Sequence, residues 1–254
     1  RTDYLIDGSP FDSDQVLAWD AIHPAETAHQ LWGAYSEFVM GGGKTALLDG
    51  GATDRGWGAK DNAIFALGGD DTIRAGGGHD AVAGGSGNDG IRGGSGNDVL
   101  LGGSGNDTVQ GNRDDDILSG GDGNDQLRGG GGNDVIADGR GSDLAIGGRG
   151  NDTFIFTEAA LAGGGGASAD TFRGGAGSDT LYLVLDAAHY AAFSAGSADA
   201  VLNSLGITVF GIEFIRAIDG RSNIADQLDS FDWFQAADSW GAVSAPQSGD
   251  ALLV

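Results

Sequence analysis

The sequence predicts an all-β fold, a parallel β-solenoid, and three observations carry that prediction. A nine-residue pattern, Gly-Gly-x-Gly-x-Asp-x-apolar-x, recurs ten times without a gap between Ala66 and Ile155. Its eighth position is apolar in every copy, and its first five positions are dense in glycine. A period this short marks coils that stack on one another, each touching only its neighbours.

Residues 1–40 differ from the repeat in every respect. Asp20-Ala21-Ile22-His23-Pro24 leads into Ala25 to Val39, where Leu31, Tyr35, Phe38 and Val39 fall near one face of an amphipathic helix. An Asp-x-x-His-Pro segment entering a helix that carries a further histidine, His29, resembles the last block of the SGNH (GDSL-type) esterase and lipase family. The resemblance implies that His23 is the general base of a catalytic triad and that Asp20 orients it, acting on an ester substrate. It covers about twenty residues, and neither a Gly-Asp-Ser block nor a Gly-x-Ser-x-Gly elbow occurs in the chain. The segment therefore reads either as the tail of an upstream hydrolase domain whose nucleophile precedes Arg1, or as an N-terminal helical cap. Residues 41–65 read as a Gly-rich linker that becomes the first irregular coils.

Residues 66–182 form the solenoid. If positions 7 to 9 make a strand, position 8 points inward while 7 and 9 point out. The inward set is Ile73, Val82, Ile91, Leu100, Val109, Leu118, Leu127, Ile136, Ala145 and Phe154, then Phe172 and Leu181. Position 9 offers Arg74, Arg92, Gln110, Ser119 and Arg128, mostly polar. Two nonapeptides then make one full coil. One buried aliphatic side chain contributes roughly 1.5–3 kcal/mol, whereas ordering each backbone residue costs about 1–2 kcal/mol. The apolar row alone cannot hold such a coil.

Position 6 supplies the missing cohesion. It is Asp in all ten copies: Asp71, Asp80, Asp89, Asp98, Asp107, Asp116, Asp125, Asp134, Asp143 and Asp152. Two later copies place Asp170 and Asp179 there. Stacking brings the aspartate of repeat n beside that of repeat n+2, and such like charges repel unless a cation lies between them. Carboxylates and loop carbonyls are hard oxygen donors. With no cysteine in the chain and only His79 within the repeats, they suit Ca²⁺ better than Mg²⁺, zinc or copper.

These repeats resemble the repeats-in-toxin (RTX) family of secreted bacterial proteins. The resemblance implies a parallel β-roll in which each ion lies between loops n and n+2. The ligands it implies are both position-6 carboxylates and loop carbonyls, such as those of Gly85, Gly87, Gly94, Gly96, Gly103, Gly105, Gly121 and Gly123. Ten contiguous repeats allow about eight such calcium ions. Some copies depart from the pattern. Asn112 and Asp114 stand where glycine is expected, one repeat opens on Ala66-Leu67, and Asp138 replaces the first glycine of another, so weaker or altered sites are expected there. An insertion from Phe156 to Gly164 breaks the register before the last two copies.

Residues 183–254 contain no nonapeptide. Ala187 to Leu202 reads as a helix or loop, Leu205 to Ile218 as one or two strands, and Asp226 to Trp240 as a short aromatic helix. An open solenoid exposes its last apolar rung and an unpaired edge, so the segment reads as a β-rich C-terminal cap with Phe210, Phe214, Trp233 and Phe234 in its core. The end, Ser248-Gly249-Asp250 then Ala251 to Val254, resembles an RTX type I secretion signal, which implies the type I secretion machinery as a partner and an extracellular, secreted location.

The charge agrees with this reading. Thirteen basic and 37 acidic residues leave a net charge of −24, which disfavours nucleic acid and anionic membrane as partners. No apolar run approaches a membrane span, so membrane insertion is not expected. The function expected is a calcium-binding module that folds after secretion and stabilises its parent. The alternative is a calcium-dependent adhesin or surface-layer element without catalysis.

Overall fold

The structure, a computed structural model, describes the backbone of residues 44–47 and all of residues 58–158 and 168–220. Asp20 and His23, the amphipathic N-terminal segment, Trp233, Phe234 and the C-terminal tail lie outside the described residues.

The chain folds as a parallel β-roll. Its strands are β1 (Lys44–Leu47), β2 (Asn62–Phe65), β3 (Thr72–Gly77), β4 (Ala81–Ser86), β5 (Gly90–Ser95), β6 (Val99–Ser104), β7 (Thr108–Arg113) and β8 (Ile117–Asp122). There follow β9 (Gln126–Gly131), β10 (Val135–Arg140), β11 (Leu144–Arg149), β12 (Thr153–Thr157), β13 (Thr171–Ala176), β14 (Thr180–Leu185), β15 (Thr208–Phe210) and β16 (Phe214–Asp219). Two short helices, α1 (Ala187–Ser194) and α2 (Ala198–Leu205), separate β14 from β15.

The strands alternate between two sheets. β1, β2 and the remaining even strands to β16 form a nine-stranded sheet, and the odd strands from β3 to β15 a seven-stranded one. Every pairing is parallel, with partners eighteen residues apart within the contiguous repeats, as in Val99↔Ile117 and Thr108↔Gln126. One coil is thus two nonapeptides. The strands are longer than expected, because the ladder continues past positions 7 to 9 into the glycines, as in Gly103↔Gly121.

The position-8 residues line the interior. Ile73, Val82, Ile91, Leu100, Leu118, Ile136, Phe154, Phe172 and Leu181 have no accessible surface. Outward alternation to polar residues holds on only one sheet. In the seven-stranded sheet Arg74, Arg92 and Arg128 are exposed, as expected. On the nine-stranded sheet the outward face is largely apolar and buried, in two clusters: Ala81, Ala83, Val99 and Leu101, then Val135, Ala137, Ile155, Tyr182, Val184 and Ile218.

The insertion begins later than the sequence suggested. Phe156 lies in β12, buried, pairs with Leu183 in register and packs edge-on against Phe172 with ring centroids 6.5 Å apart. Within the described residues the C-terminal segment continues the roll, β15 extending one sheet and β16 the other. Val201, Leu202, Leu205 and Ile207 close the interior row there.

The expected core phenylalanines of this segment are corrected. Phe210 and Phe214 are 52% and 49% exposed. The pairings Phe172↔Val209 and Leu181↔Ile215 put Val209 and Ile215 at position 8, so Phe210 falls at position 9 and Phe214 at position 7, both facing out. Arg173 covers the Phe210 ring, 5.3 Å from its centroid.

Candidate metal centre

The loop that carries each aspartate is shaped by its glycines. Gly103 and Gly105, at positions 2 and 4, have φ of 115° and 128°, a region closed to most side chains. A Cβ on either would strike a carbonyl of the coil below, Gly85 O for Gly103 and Gly87 O for Gly105. The carbonyls of Gly85, Gly87, Gly103 and Gly105 therefore point across the gap between coils. Carbonyls of Gly121 and Gly123 do the same toward Gly139 and Gly141. Those of Gly94 and Gly96 belong to loops built alike, since a Cβ at either glycine would strike Gly76 O or Gly78 O of the preceding coil.

Departures from the pattern keep this loop shape. Leu67, Asn112 and Asp114 take φ of 60°, 90° and 69° in place of glycine, and Asn112 remains paired with Gly94 and Gly130. Asn and Asp tolerate that region at modest cost.

Every position-6 aspartate is buried, from Asp71 to Asp179. Ten of them, Asp71 to Asp152, donate the backbone N–H to Oδ1 of the aspartate one coil on. Examples are Asp80 to Asp98 at 2.9 Å, Asp89 to Asp107 at 2.7 Å, Asp107 to Asp125 at 2.8 Å and Asp116 to Asp134 at 2.9 Å. Beyond the insertion the ladder continues with a longer step, Asp143 to Asp170 and Asp152 to Asp179, twenty-seven residues apart. Thus the structure brings all twelve expected aspartates into two stacked columns.

In ten of the twelve Oδ1 accepts a hydrogen bond and Oδ2 does not. Oδ2 of Asp80, Asp89, Asp98, Asp107, Asp116, Asp125, Asp134, Asp143, Asp152 and Asp179 is buried with no hydrogen-bond partner among the described residues. Such an orphaned oxygen costs about 1–3 kcal/mol, more if charged. Where the repeat opens on glycine, Oδ2 faces that glycine: a Cβ on Gly84 would collide with Asp89 Oδ2 and with Gly102 O, and one on Gly120 with Asp125 Oδ2 and Asp138 O. The space beside the carboxylate is kept clear of side chains.

Burial dominates the protonation of these groups. It raises Asp98 to about 8 and Asp116 to about 9, against the partial offset of an accepted N–H, while neighbouring aspartates push the same way. Asp107, Asp134 and Asp143 rise to about 7 for the same leading reason. Such a column at neutral pH must hold protons or hard cations. Orphaned carboxylate oxygens, adjacent carbonyls and a cleared space fit calcium, whose coordination shell takes many oxygens in flexible geometry.

Three participants escaped the sequence reading. Asn62 takes position 6 one coil before Asp80 and donates to its Oδ1 through both backbone N–H and Nδ2, at 2.7 and 2.9 Å. Glu213 ends the same column, its Oε2 accepting the N–H of Asp179 at 2.8 Å. Position 5 forms a second ladder running the other way: the N–H of Asn106 donates to Asn88 Oδ1, that of Asn124 to Asn106 Oδ1 and that of Asn151 to Asn133 Oδ1. The signal for it was present, because position 5 is Asn in six of the ten contiguous copies.

The RTX calcium-binding nonapeptide repeat matches the chain in four copies, residues 58–91, 92–127, 128–156 and 164–183. No curated protein matches the chain, and no solved structure does. The match begins in the coil that holds Asn62.

Proposed function

We propose that this chain, whose residues 58–183 are a calcium-binding module of RTX repeats, works as a calcium-driven folding device. It leaves the bacterial cell unfolded through a type I secretion channel and orders outside, where calcium is plentiful, stabilising the protein that carries it. The observation that supports this most is the column of buried Oδ2 atoms without partners. Without a counter-ion the column opposes folding at neutral pH; with one, each site held at 100 times its dissociation constant adds about 2.7 kcal/mol. Within this reading the ligands are the position-6 aspartates from Asp71 to Asp179 with loop carbonyls, about eight ions in the contiguous repeats.

Circular dichroism of the chelated protein during calcium addition tests it. A coil spectrum that turns β-type over a saturable range is expected, and one that calcium leaves unchanged refutes the proposal.

On the same reading the parent is an extracellular ester hydrolase to which Asp20 and His23 belong, supported by the Asp-x-x-His-Pro segment. A longer product with an upstream Gly-Asp-Ser block, losing p-nitrophenyl ester hydrolysis on His23→Ala, is the expected result. A parent with no such block points instead to an adhesin or surface-layer element.

A further inference from the structure

One rung of the column is built differently. Position 1 of the repeat at 138–146 is Asp138 where the other loops have a small residue, and it is 1% exposed. Its Oδ1 accepts the N–H of Gly139 at 2.9 Å, while its Oδ2 is buried with no partner. One carboxylate oxygen of Asp138 lies within 4.8 Å of one from Asp143 and one from Asp170, which are in turn within 4.8 Å of each other. Asp143 Oδ2 is likewise buried and unpartnered. Ser168 donates its hydroxyl to Asp170 Oδ2 at 2.6 Å and so holds the third carboxylate in place.

We infer that Asp138, Asp143 and Asp170 form a three-carboxylate calcium site, tighter than the two-carboxylate sites of the regular rungs. The inference rests on the calcium reading above and departs from the repeat pattern, which offers glycine at position 1. Affinity in oxygen sites rises with the number of charged ligands, and a third carboxylate here faces the same small space as the other two. Charge alone gives the direction: three buried carboxylates with no basic partner among the described residues bind a divalent ion more strongly than two do.

Place gives the site its use. Asp143 and Asp170 are one of the two pairs that span the insertion, Asp152 and Asp179 being the other, with partners twenty-seven residues apart where contiguous rungs are eighteen. Among the described residues only the first pair has a third carboxylate oxygen within 4.8 Å of both partners. An ion there joins the coil before the insertion to the one after it, at the step where the chain leaves the repeat and must return in register. The tightest site therefore sits where the chain departs from the repeat and rejoins it.

Calcium titration calorimetry on the full chain, with Asp138→Gly and Asp138→Asn beside it, tests this. Asp138→Gly restores the residue that regular loops carry, and circular dichroism in saturating calcium checks that it keeps the roll. In the unaltered chain one ion should bind at least tenfold more tightly than the rest, and both variants should lose that tight class while still binding calcium at the regular rungs. Superimposable isotherms overturn the inference. So does tighter binding by Asp138→Asn, which means that a protonated Asp138 occupies the space of an ion. A chain that binds no calcium in any form brings down the module reading itself, a distinct outcome from loss of the tight class alone.

Discussion

The backbone N–H of Asp98 donates to Oδ1 of Asp116 at 2.9 Å, while Oδ2 of Asp116 is buried and accepts nothing. One carboxylate therefore does two jobs: one oxygen ties a coil to the next, and the other is left for a ligand. Folding and binding are coupled in a single side chain, because the stacking that bonds Oδ1 is the same stacking that presents Oδ2 to the gap between coils.

Interior and edge aspartates should differ. In the proposed array Asp107 touches two ions and Asp71 one. At 100 times the dissociation constant, Asp107→Ala should cost about 5 kcal/mol and Asp71→Ala about 3 kcal/mol. Thermal melts in calcium measure both, and equal losses contradict the pairing of successive coils.

Acid should partly replace calcium. The folded pKa values of Asp98 and Asp116, raised to about 8 and about 9 from 3.8, mean that the metal-free roll binds more protons than the unfolded chain. Their favourable contribution is full below about 4 and is lost as pH rises through 8 to 9. In EDTA the β-type signal should therefore grow as pH is lowered from 9 toward 4, and calcium affinity should fall over the same descent, because protons compete for the same oxygens. A chelated protein equally structured across that range contradicts the burial of these groups.

Glycines should divide by position. Gly103→Ala puts a Cβ at φ 115° against Gly85 O, and we expect a loss of several kcal/mol. Gly131, at position 3, has open space around a built Cβ, so Gly131→Ala should change stability by less than about 0.5 kcal/mol. Denaturant titration in calcium compares the two.

The phenylalanines near the end of the roll should divide by face. Phe172 is fully buried and meets Phe154 edge-on with centroids 5.8 Å apart, so Phe172→Ala should cost about 3–5 kcal/mol. Phe210→Ala removes only an exposed ring under Arg173 and should cost below about 1 kcal/mol. Comparable melting shifts would mean that Phe210 is a core residue after all.

Much of this site could be read in advance, and the misses have definite causes. The aspartate column followed from period alone, since stacking two nonapeptides per coil places Asp89 over Asp71 whatever the side chains between them. The Asn ladder of position 5 is equally regular in the sequence, but Asn favours turns by itself, so its recurrence in a loop does not imply a partner one coil away. Asn62 and Glu213 hold position 6 without resembling the repeat, and only strand pairing reveals their register. Phe210 and Phe214 were misplaced by hydrophobicity, which names the residue but not the face.

From sequence alone came the solenoid, its two-repeat coil, the inward row and the acidic column, all consequences of strict periodicity acting through strand alternation. Tertiary structure alone decided which oxygen of each carboxylate is spoken for, which sheet wears an apolar exterior, and that Asp138 joins Asp143 and Asp170 across the insertion. Those outcomes depend on distances between residues eighteen or twenty-seven positions apart, and a linear pattern carries the order of residues but not the gap between coils.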